Sequence, residues 1–135
     1  MSRYLLDTNM AGDLIEKRGN VPERVRAARH NGGHIGIGIP VLAELYYGVE
    51  FSASRDLSQK RLRRALSGLT IWPFDEKAAA EFGRLRAELR RRGRPMQVID
   101  IMIAAIAFCL GNCTVVSADS DLSAVPGLTV ENWGE

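Results

Sequence analysis

The sequence predicts an α/β fold in which a short central parallel β-sheet is flanked by helices on both faces. Five short apolar runs have the length of buried strands. Most of the segments between them repeat apolar residues at helical spacing, so strands and helices alternate along the chain. Strands that are separated by helices pair in parallel through right-handed crossovers. No repeat, low-complexity tract or linker interrupts this pattern, and we expect a single domain over residues 1–135.

The first half of the chain begins with a predicted strand at residues 4–6, an apolar run that ends at Asp7. Thr8 or Asn9 is suited to cap the helix that follows, because side chains of these types accept hydrogen bonds from free helix amides. Beyond about residue 18, turn residues and apolar periodicity predict in order a helix between Pro22 and Gly32, a strand with one apolar face at 35–39, a helix at 40–49, and a basic helix at 57–69.

The second half repeats the alternation with longer helices. A short strand is predicted at residues 70–72, and Asp75 is placed to cap a long helix that ends at Gly93. A very apolar helix follows at about 98–110 and stops at Gly111. The last predicted elements are a buried strand at 114–116, a turn at Pro126–Gly127, and a strand at 128–130.

Composition places the chain among ordinary globular proteins, with 46% hydrophobic and 25% charged residues. The formal net charge of +2 hides an uneven distribution. All 18 basic residues and 11 of the 16 acids lie in positions 1–94, so the last 41 positions carry five acids and no Lys or Arg. We therefore interpret the chain as a basic body joined to an acidic end, which favours a nucleic-acid partner for the body.

Two further features of the sequence concern the location of the protein and zinc binding. The longest apolar stretch, residues 101–110, is too short to span a bilayer, and the N-terminus lacks a signal-peptide core, which predicts a cytoplasmic protein without a membrane partner. Zinc binding by two His and two Cys was the less favoured reading, because the pairs lie far apart in sequence; the residues are His30, His34, Cys109 and Cys113.

Four acids occupy positions where an α/β fold places ligands. Asp7 and Asp119 each follow a predicted strand, and ligands of such folds bind beyond the carboxyl ends of the strands. Glu44 and Asp100 are the lone charged residues of two apolar helices. Simpler interpretations remain open, since Asp7 and Asp119 are also suited to cap a helix or a turn, and Asp100 suits the positive end of its helix dipole. Glu44 has the weakest such explanation.

Convergence of these acids would require a counter-charge. Two carboxylates about 4 Å apart repel by roughly 4 kcal/mol at an effective dielectric constant of 20. No Lys lies close in sequence to neutralise them. Mg²⁺ or Mn²⁺ is the natural cation for an all-oxygen site, and such an ion beside basic helices points to hydrolysis of phosphodiester bonds.

These residues fall in a set of ordered motifs that closely resembles the PIN-domain ribonucleases of the VapC toxin type. The resemblance covers essentially the whole chain, and it is the order and separation of the motifs that make it specific. The motifs are LLDTN at 5–9, LAELYYG at 42–48, RAEL at 86–89, GRP at 93–95, DIMIAA at 100–105, VSAD at 116–119, VPGL at 125–128 and ENW at 131–133.

The resemblance implies a PIN-like fold and a metal-dependent endoribonuclease, the toxin of a type II toxin–antitoxin pair, in which a metal-activated water attacks an RNA phosphate. It assigns the catalytic and Mg²⁺- or Mn²⁺-binding roles to the acids Asp7, Glu44, Asp100 and Asp119. It implies residues that orient these acids: Thr8, Asn9 and Ser117. This sequence departs from the family pattern after Ser117, so that Asp121, a further candidate beside the acids, could share or replace the role of Asp119. It also implies a homodimer and a VapB-type antitoxin whose tail enters the acidic groove, with DNA bound only indirectly through that antitoxin.

Arginine-rich segments are the candidate contacts to RNA. Arginine outnumbers lysine 15 to 3, and its planar guanidinium suits phosphate. One basic cluster lies at residues 55–64 and another at 84–94, and both are also compatible with ordinary solvated helix faces. We expect the end of the second cluster to border the RNA path, since it leads into the Asp100 helix; these residues are Arg90, Arg92 and Arg94. The alternative function is a non-catalytic RNA- or protein-binding module.

Overall fold

A computed structural model describes residues 2–135 of the protein. In chain order the elements are β1 (Arg3–Leu6), α1 (Thr8–Glu16), α2 (Val21–His30), β2 (His34–Gly38), α3 (Ile39–Glu50), α4 (Arg55–Leu66), β3 (Thr70–Trp72), α5 (Glu76–Arg91), α6 (Val98–Leu110), β4 (Cys113–Val116), α7 (Ser120–Ser123) and β5 (Thr129–Glu131). The strands form one sheet in the order β3-β2-β1-β4-β5, and every pairing is parallel. The predicted α/β class and the parallel sheet are confirmed.

The core lies on both faces of the central strands. Leu5 and Leu6 of β1 and Val115 and Val116 of β4 are fully buried, as expected for parallel strands covered by helices on each side. Helix α6 is the most apolar helix and is buried along most of its length, with α5 packed against it. Among residues 2–135, no helix has both the length and the apolar character needed to cross a bilayer.

Strand β2 differs from the prediction of a strand with one apolar face. Its last four residues are all buried, and Gly36 and Gly38 let neighbours approach the strand closely. A Cβ on Gly36 would lie 2.2 Å from the carbonyl oxygen of Thr70 on β3. A Cβ on Gly38 would lie 2.5 Å from Cδ1 of Ile106 on α6. Both glycines are therefore packing residues, and the strand contributes to the core on both faces.

The remaining differences concern the ends of elements. The prediction that Thr8 or Asn9 caps α1 is wrong, because Asp7 occupies the N-cap and accepts the amide of Met10. The four-residue helix α7 was not predicted, because it is too short to show helical periodicity. Trp133, which follows β5, is buried beside the Tyr4 ring and donates its indole N–H to Glu131.

Candidate functional site

The site begins where β1 and β4 end side by side. Leu6 pairs with Val116, so the residues that follow them, Asp7 and Ser117, emerge at the same edge of the sheet. The amide of Asp7 donates to the carbonyl oxygen of Val116 at 3.0 Å, which extends the strand pairing up to Asp7. In the sheet, β1 pairs with β2 on one side and with β4 on the other, so the strand order reverses at β1. This is the topological switch point at which α/β proteins bind ligands.

Asp7 is a buried carboxyl group with its oxygens already engaged. Its side chain is only 6% exposed, and Oδ1 accepts the amide of Met10 at 2.8 Å. Burial raises the pKa of Asp7 above its usual value. Hydrogen bonds from the Ser117 hydroxyl and the Met10 amide oppose this rise, while the charges of Asp119 and Asp13 add to it. The carboxyl group therefore sits in a position where a nearby cation would stabilise its charged form.

Ser117 connects two of the candidate acids. Its hydroxyl oxygen accepts a hydrogen bond from the amide of Asp119 at 2.9 Å, and the same hydroxyl group donates a hydrogen bond to Asp7. Asp119 is the N-cap of α7, and its Oδ1 accepts the amide of Asp121 at 2.8 Å. These bonds hold the turn after β4 in a conformation that directs Asp119 toward Asp7. Ser117, to which the resemblance assigns a role in orienting the acids, therefore contacts both Asp7 and Asp119.

Asp100 approaches the same point from the first turn of α6. It is half-buried, and burial together with the charge of Asp119 raises the pKa of Asp100 to about 6. A hydrogen bond with Asp119, which requires a proton on one of the two groups, and the charges of Asp7 and Asp121 act in the same direction. Asp7, Asp100 and Asp119, which are distant in sequence, therefore interact in space.

These carboxyl groups lack a cationic side chain as partner. Within residues 2–135, no Lys or Arg forms an ion pair with the four aspartates of the site, which are Asp7, Asp100, Asp119 and Asp121. Uncompensated carboxylates at close range repel one another and destabilise the fold. Protonation of Asp100 reduces this repulsion. A bound cation would also reduce it.

Glu44 occupies a neighbouring position. It is half-buried and lines a groove of about 340 Å³ between α1, α3 and α4, which we call the α1–α3–α4 groove. Thr8, which follows Asp7, lines the same groove, so Glu44 lies on the side of the site formed by α1 and α3. Glu44 does not contribute to the shifted pKa values of Asp7 and Asp100. Asn9 is exposed in the first turn of α1.

The donor chemistry of the site suits a hard divalent cation. All the candidate ligands are carboxylate oxygens, the type that Mg²⁺ and Mn²⁺ prefer. Among residues 2–135, no group of three or more His, Cys, Asp or Glu side chains is arranged to hold a metal ion by itself, and this also applies to the His and Cys pairs that suggested zinc. Mg²⁺ does not need such a cage, because it keeps several waters and is held by one or two carboxylates together with substrate phosphates. The acids of the site fit that mode of binding.

The arginines expected to border the RNA path lie at the end of α5 and in the loop that follows. Arg90 and Arg94 are exposed, while Arg92 pairs with Glu88 at 3.0 Å. The loop leads to α6, and Asp100 lies in the first turn of that helix. Connectivity thus brings the arginines toward the acid-bearing end of α6, and no contact between them and the four aspartates is observed.

The sequence analysis did not identify Asp13 as an acid that acts on Asp7. Asp13 of α1 adds to the rise in the pKa of Asp7, and its own side chain pairs with Arg18 at 3.8 Å. No motif marks Asp13. Its position on the helix that Asp7 caps is the signal that could have identified it.

Comparison with known proteins agrees with this fold. The PIN domain family matches residues 4–128 of the chain. Ribonuclease VapC2 of Haemophilus influenzae is 35% identical over 133 residues, which cover 98% of this chain and 99% of that protein. The tRNA(fMet)-specific endonuclease VapC of Salmonella typhimurium is 32% identical over 134 residues, with coverage of 98% and 99%.

Solved structures show the same likeness. The crystal structure of VapBC2 from Rickettsia felis, bound to a DNA fragment from its promoter, superposes with a TM-score of 0.90 at 32% identity and covers 97% of this chain and 98% of that one. DNA-bound VapBC from Salmonella typhimurium superposes with a TM-score of 0.89 at 30% identity, with coverage of 98% and 99%.

The sheet order, the acids at the strand ends and the family match define the class of protein as a PIN domain. This chain belongs to the PIN domain family and, within it, groups with the VapC ribonucleases.

Proposed function

We propose that the protein is a Mg²⁺- or Mn²⁺-dependent endoribonuclease and the toxin of a VapBC-type toxin–antitoxin pair. The observation that carries this proposal is the convergence of Asp7, Asp100 and Asp119 at the switch point of a parallel sheet, where no Lys or Arg of residues 2–135 forms an ion pair with them. The names of the relatives as ribonucleases and endonucleases support RNA as the substrate class.

Each acid has a distinct part in the proposal. Asp7, Asp100 and Asp119 hold the cation directly or through water, and Glu44 completes the site from the α1–α3–α4 groove. Ser117 orients Asp7 and Asp119 through its two hydrogen bonds. Thr8 and Asn9 support the site from the first turn of α1, and Asp121 either assists or substitutes for Asp119.

When bound, the cation would supply charge to stabilise the phosphate oxygens and to make a water more acidic. The chain's own contribution is positioning and proton balance. Burial keeps Asp7 out of bulk water, and its N-cap bonds hold its orientation. Without a bound cation, the raised pKa of Asp100, about 6, keeps its carboxyl group protonated at mildly acidic pH, so cation binding should strengthen as the pH increases through this value.

The partners follow from the relatives. Several similar structures are complexes of a toxin with its antitoxin, and some contain DNA. We therefore propose a VapB-type antitoxin as the protein partner, with promoter DNA reached through that antitoxin. A homodimer is proposed as well, and the exposed apolar side chains of α3 offer a surface for it.

Sequencing of RNA 5′ ends after brief induction of the protein in bacterial cells tests the proposed activity. The wild type should create new ends at defined sites, and Asp7→Asn should not. Asn caps helices as well as Asp does, so this variant should keep α1 intact. Asp56→Asn, at an exposed position on α4, is the matched control and should cleave normally.

The same cleavage pattern from Asp7→Asn would contradict the assigned site. Normal binding of the antitoxin by a wild-type protein that produces no RNA ends under any condition would instead establish the alternative, a non-catalytic binding module.

A further inference from the structure

A second cavity, separate from the acids, is lined by cations. It has a volume of about 410 Å³ and lies where the carboxyl end of α1 meets α2 and α4. We call it the basic pocket, and its cationic lining residues are Lys17, Arg29, Arg61 and Arg64. Glu16 is the one carboxylate among the described residues that line it. The pocket therefore carries a clear excess of positive charge.

Two of these arginines are held in place by the protein. Arg61 pairs with Glu16 at 3.0 Å, and the guanidinium of Arg29 donates to the carbonyl oxygen of Gly68. In residues 2–135, neither Lys17 nor Arg64 takes part in an ion pair. The pocket thus has two fixed guanidinium groups and two cations available to an anion, an arrangement that suits phosphate.

The basic pocket adjoins the α1–α3–α4 groove. Ile15 and Glu16 line both cavities, and Thr8 lies in the groove beside the first acid of the site. Helix α1 runs between the two ends, and the nine residue steps from Thr8 to Lys17 correspond to about 13 Å. A stacked nucleic-acid strand advances about 3.4 Å per phosphate, so this span accommodates about four nucleotides.

We propose that the basic pocket binds a backbone phosphate of the RNA, about four nucleotides from the bond that is cleaved. This inference rests on the proposed function, since it places the pocket on the path of the same substrate. The apolar middle of the groove, where Ile15 and Leu45 are partly exposed, would contact sugars or bases between the two polar ends.

RNA fits this surface better than an acidic protein segment does. The basic pocket adjoins one end of the groove, and the aspartates, positive once a cation is bound to them, lie beside Thr8 at the other. An RNA strand carries a phosphate at every nucleotide, so it can bind at both ends of the groove at the same time. A cluster of Asp or Glu side chains would pair with the cations of the basic pocket, but it would gain no further contact by extending along the groove to Thr8.

Binding of a labelled uridine RNA of about twelve nucleotides, three times the span of the groove, tests the inference. Fluorescence anisotropy is measured in EDTA, to prevent cleavage, over about 50 to 200 mM NaCl. Arg64→Gln should weaken binding roughly three- to fivefold, the effect of losing one exposed ion pair. It should also reduce the slope of log K against log salt by about 0.7, the value for one single-strand phosphate contact.

Arg63→Gln is the matched control, because it removes the same charge from an exposed position of the same helix outside the pocket. It should leave both the affinity and the salt slope unchanged. Lys17→Gln combined with Arg64→Gln should roughly double the change in slope. Equal melting temperatures of all variants by circular dichroism would show that the fold is retained.

The results separate the two proposals. If the wild type cleaves RNA with Mg²⁺ but Arg64→Gln binds RNA like Arg63→Gln, the pocket inference is overturned and the proposed function stands. If Arg64→Gln shows the expected loss while the wild type cleaves no RNA, phosphate binding by the pocket stands, whereas the proposed function and the distance to a cleaved bond fail. Binding of a polyglutamate peptide that depends on Arg64, with RNA binding unaffected, would overturn the inference in favour of an acidic protein partner.

Discussion

At the residue scale, Asp100 couples the site to the stability of the fold. The pKa of its carboxyl group rises from 3.8 in the reference state to about 6 in the folded protein, mainly because of burial and the charge of Asp119. Between these values the folded state holds more protons than the unfolded state. The free energy of unfolding therefore falls as the pH rises from about 4 to 6, and it stays lower above that range.

Asp100→Asn should remove this cost, since Asn resembles the protonated acid. We expect a stability gain of about 1 kcal/mol at pH 7 once solvent screening of this half-buried group is allowed for, and no gain near pH 4. Urea denaturation at the two pH values, without divalent cations, measures the difference. Asp56→Asn serves as the exposed control. A gain of equal size at both pH values would show that the Asp100 environment is not the cause.

Ser117 offers a test of how the acids are oriented. Ser117→Ala removes the hydroxyl that accepts the Asp119 amide and donates to Asp7. Loss of such supporting bonds typically weakens metal affinity by about 10- to 100-fold, so more Mg²⁺ should be needed for half-maximal cleavage. Ser123→Ala, an exposed serine on α7, should leave the Mg²⁺ titration unchanged. Identical titrations for the two variants would remove Ser117 from the site.

At the element scale, the two glycines of β2 determine how closely its neighbours pack. Gly36→Ala should destabilise the protein by at least about 1–3 kcal/mol, because its Cβ would meet the backbone oxygen of Thr70 and cannot be accommodated by a side-chain rotation. Gly48→Ala on α3 has open space around it and should stabilise by about 0.5–1 kcal/mol through its helix propensity. Chemical denaturation of both variants measures the contrast, and a Gly36→Ala protein as stable as the wild type would contradict the described pairing of β2 with β3.

Helix α3 exposes apolar side chains that a monomer would leave in water. Tyr47 is 62% and Phe51 77% exposed, and their rings lie 5.7 Å apart. If this surface forms the proposed homodimer, replacing both residues with Ser should shift the protein to a monomer in light scattering. Val98→Ser, at an exposed apolar residue of α6, is the control and should remain dimeric. A dimer that survives the double substitution would place the interface elsewhere.

Most elements of the fold were predictable because their signals are local. The strand ending at Asp7, the Asp75-capped helix and the apolar helix before Gly111 all follow from residue type and periodicity. What could not be predicted depends on tertiary contacts. Helix α7 is a single turn held by the Asp119 cap, and the half-buried state of Glu44 depends on how α1 and α4 pack beside α3. The basic pocket combines residues from three helices that no sequence pattern links.

At the scale of the whole molecule, charge is separated along the chain and partly reunited in space. The acidic C-terminal part supplies Asp100 and Asp119, while the basic part supplies Asp7 and the cationic helices. Because β1 and β4 are neighbours in the sheet, the fold brings acids from both parts to one edge. In the proposed function the basic helices would attract RNA, and the acids would require a cation before a phosphate can approach them.

The central claim is that cation-dependent RNA cleavage takes place at this edge of the sheet. Incubation of the purified full chain with end-labelled transfer RNA, in Mg²⁺ or in EDTA, tests it most directly for the wild type and Asp100→Asn. Defined fragments should form with the wild type in Mg²⁺, and they should be absent in EDTA and with Asp100→Asn. The same fragments from Asp100→Asn, or from the wild type in EDTA, would contradict the assigned site and its dependence on a metal ion.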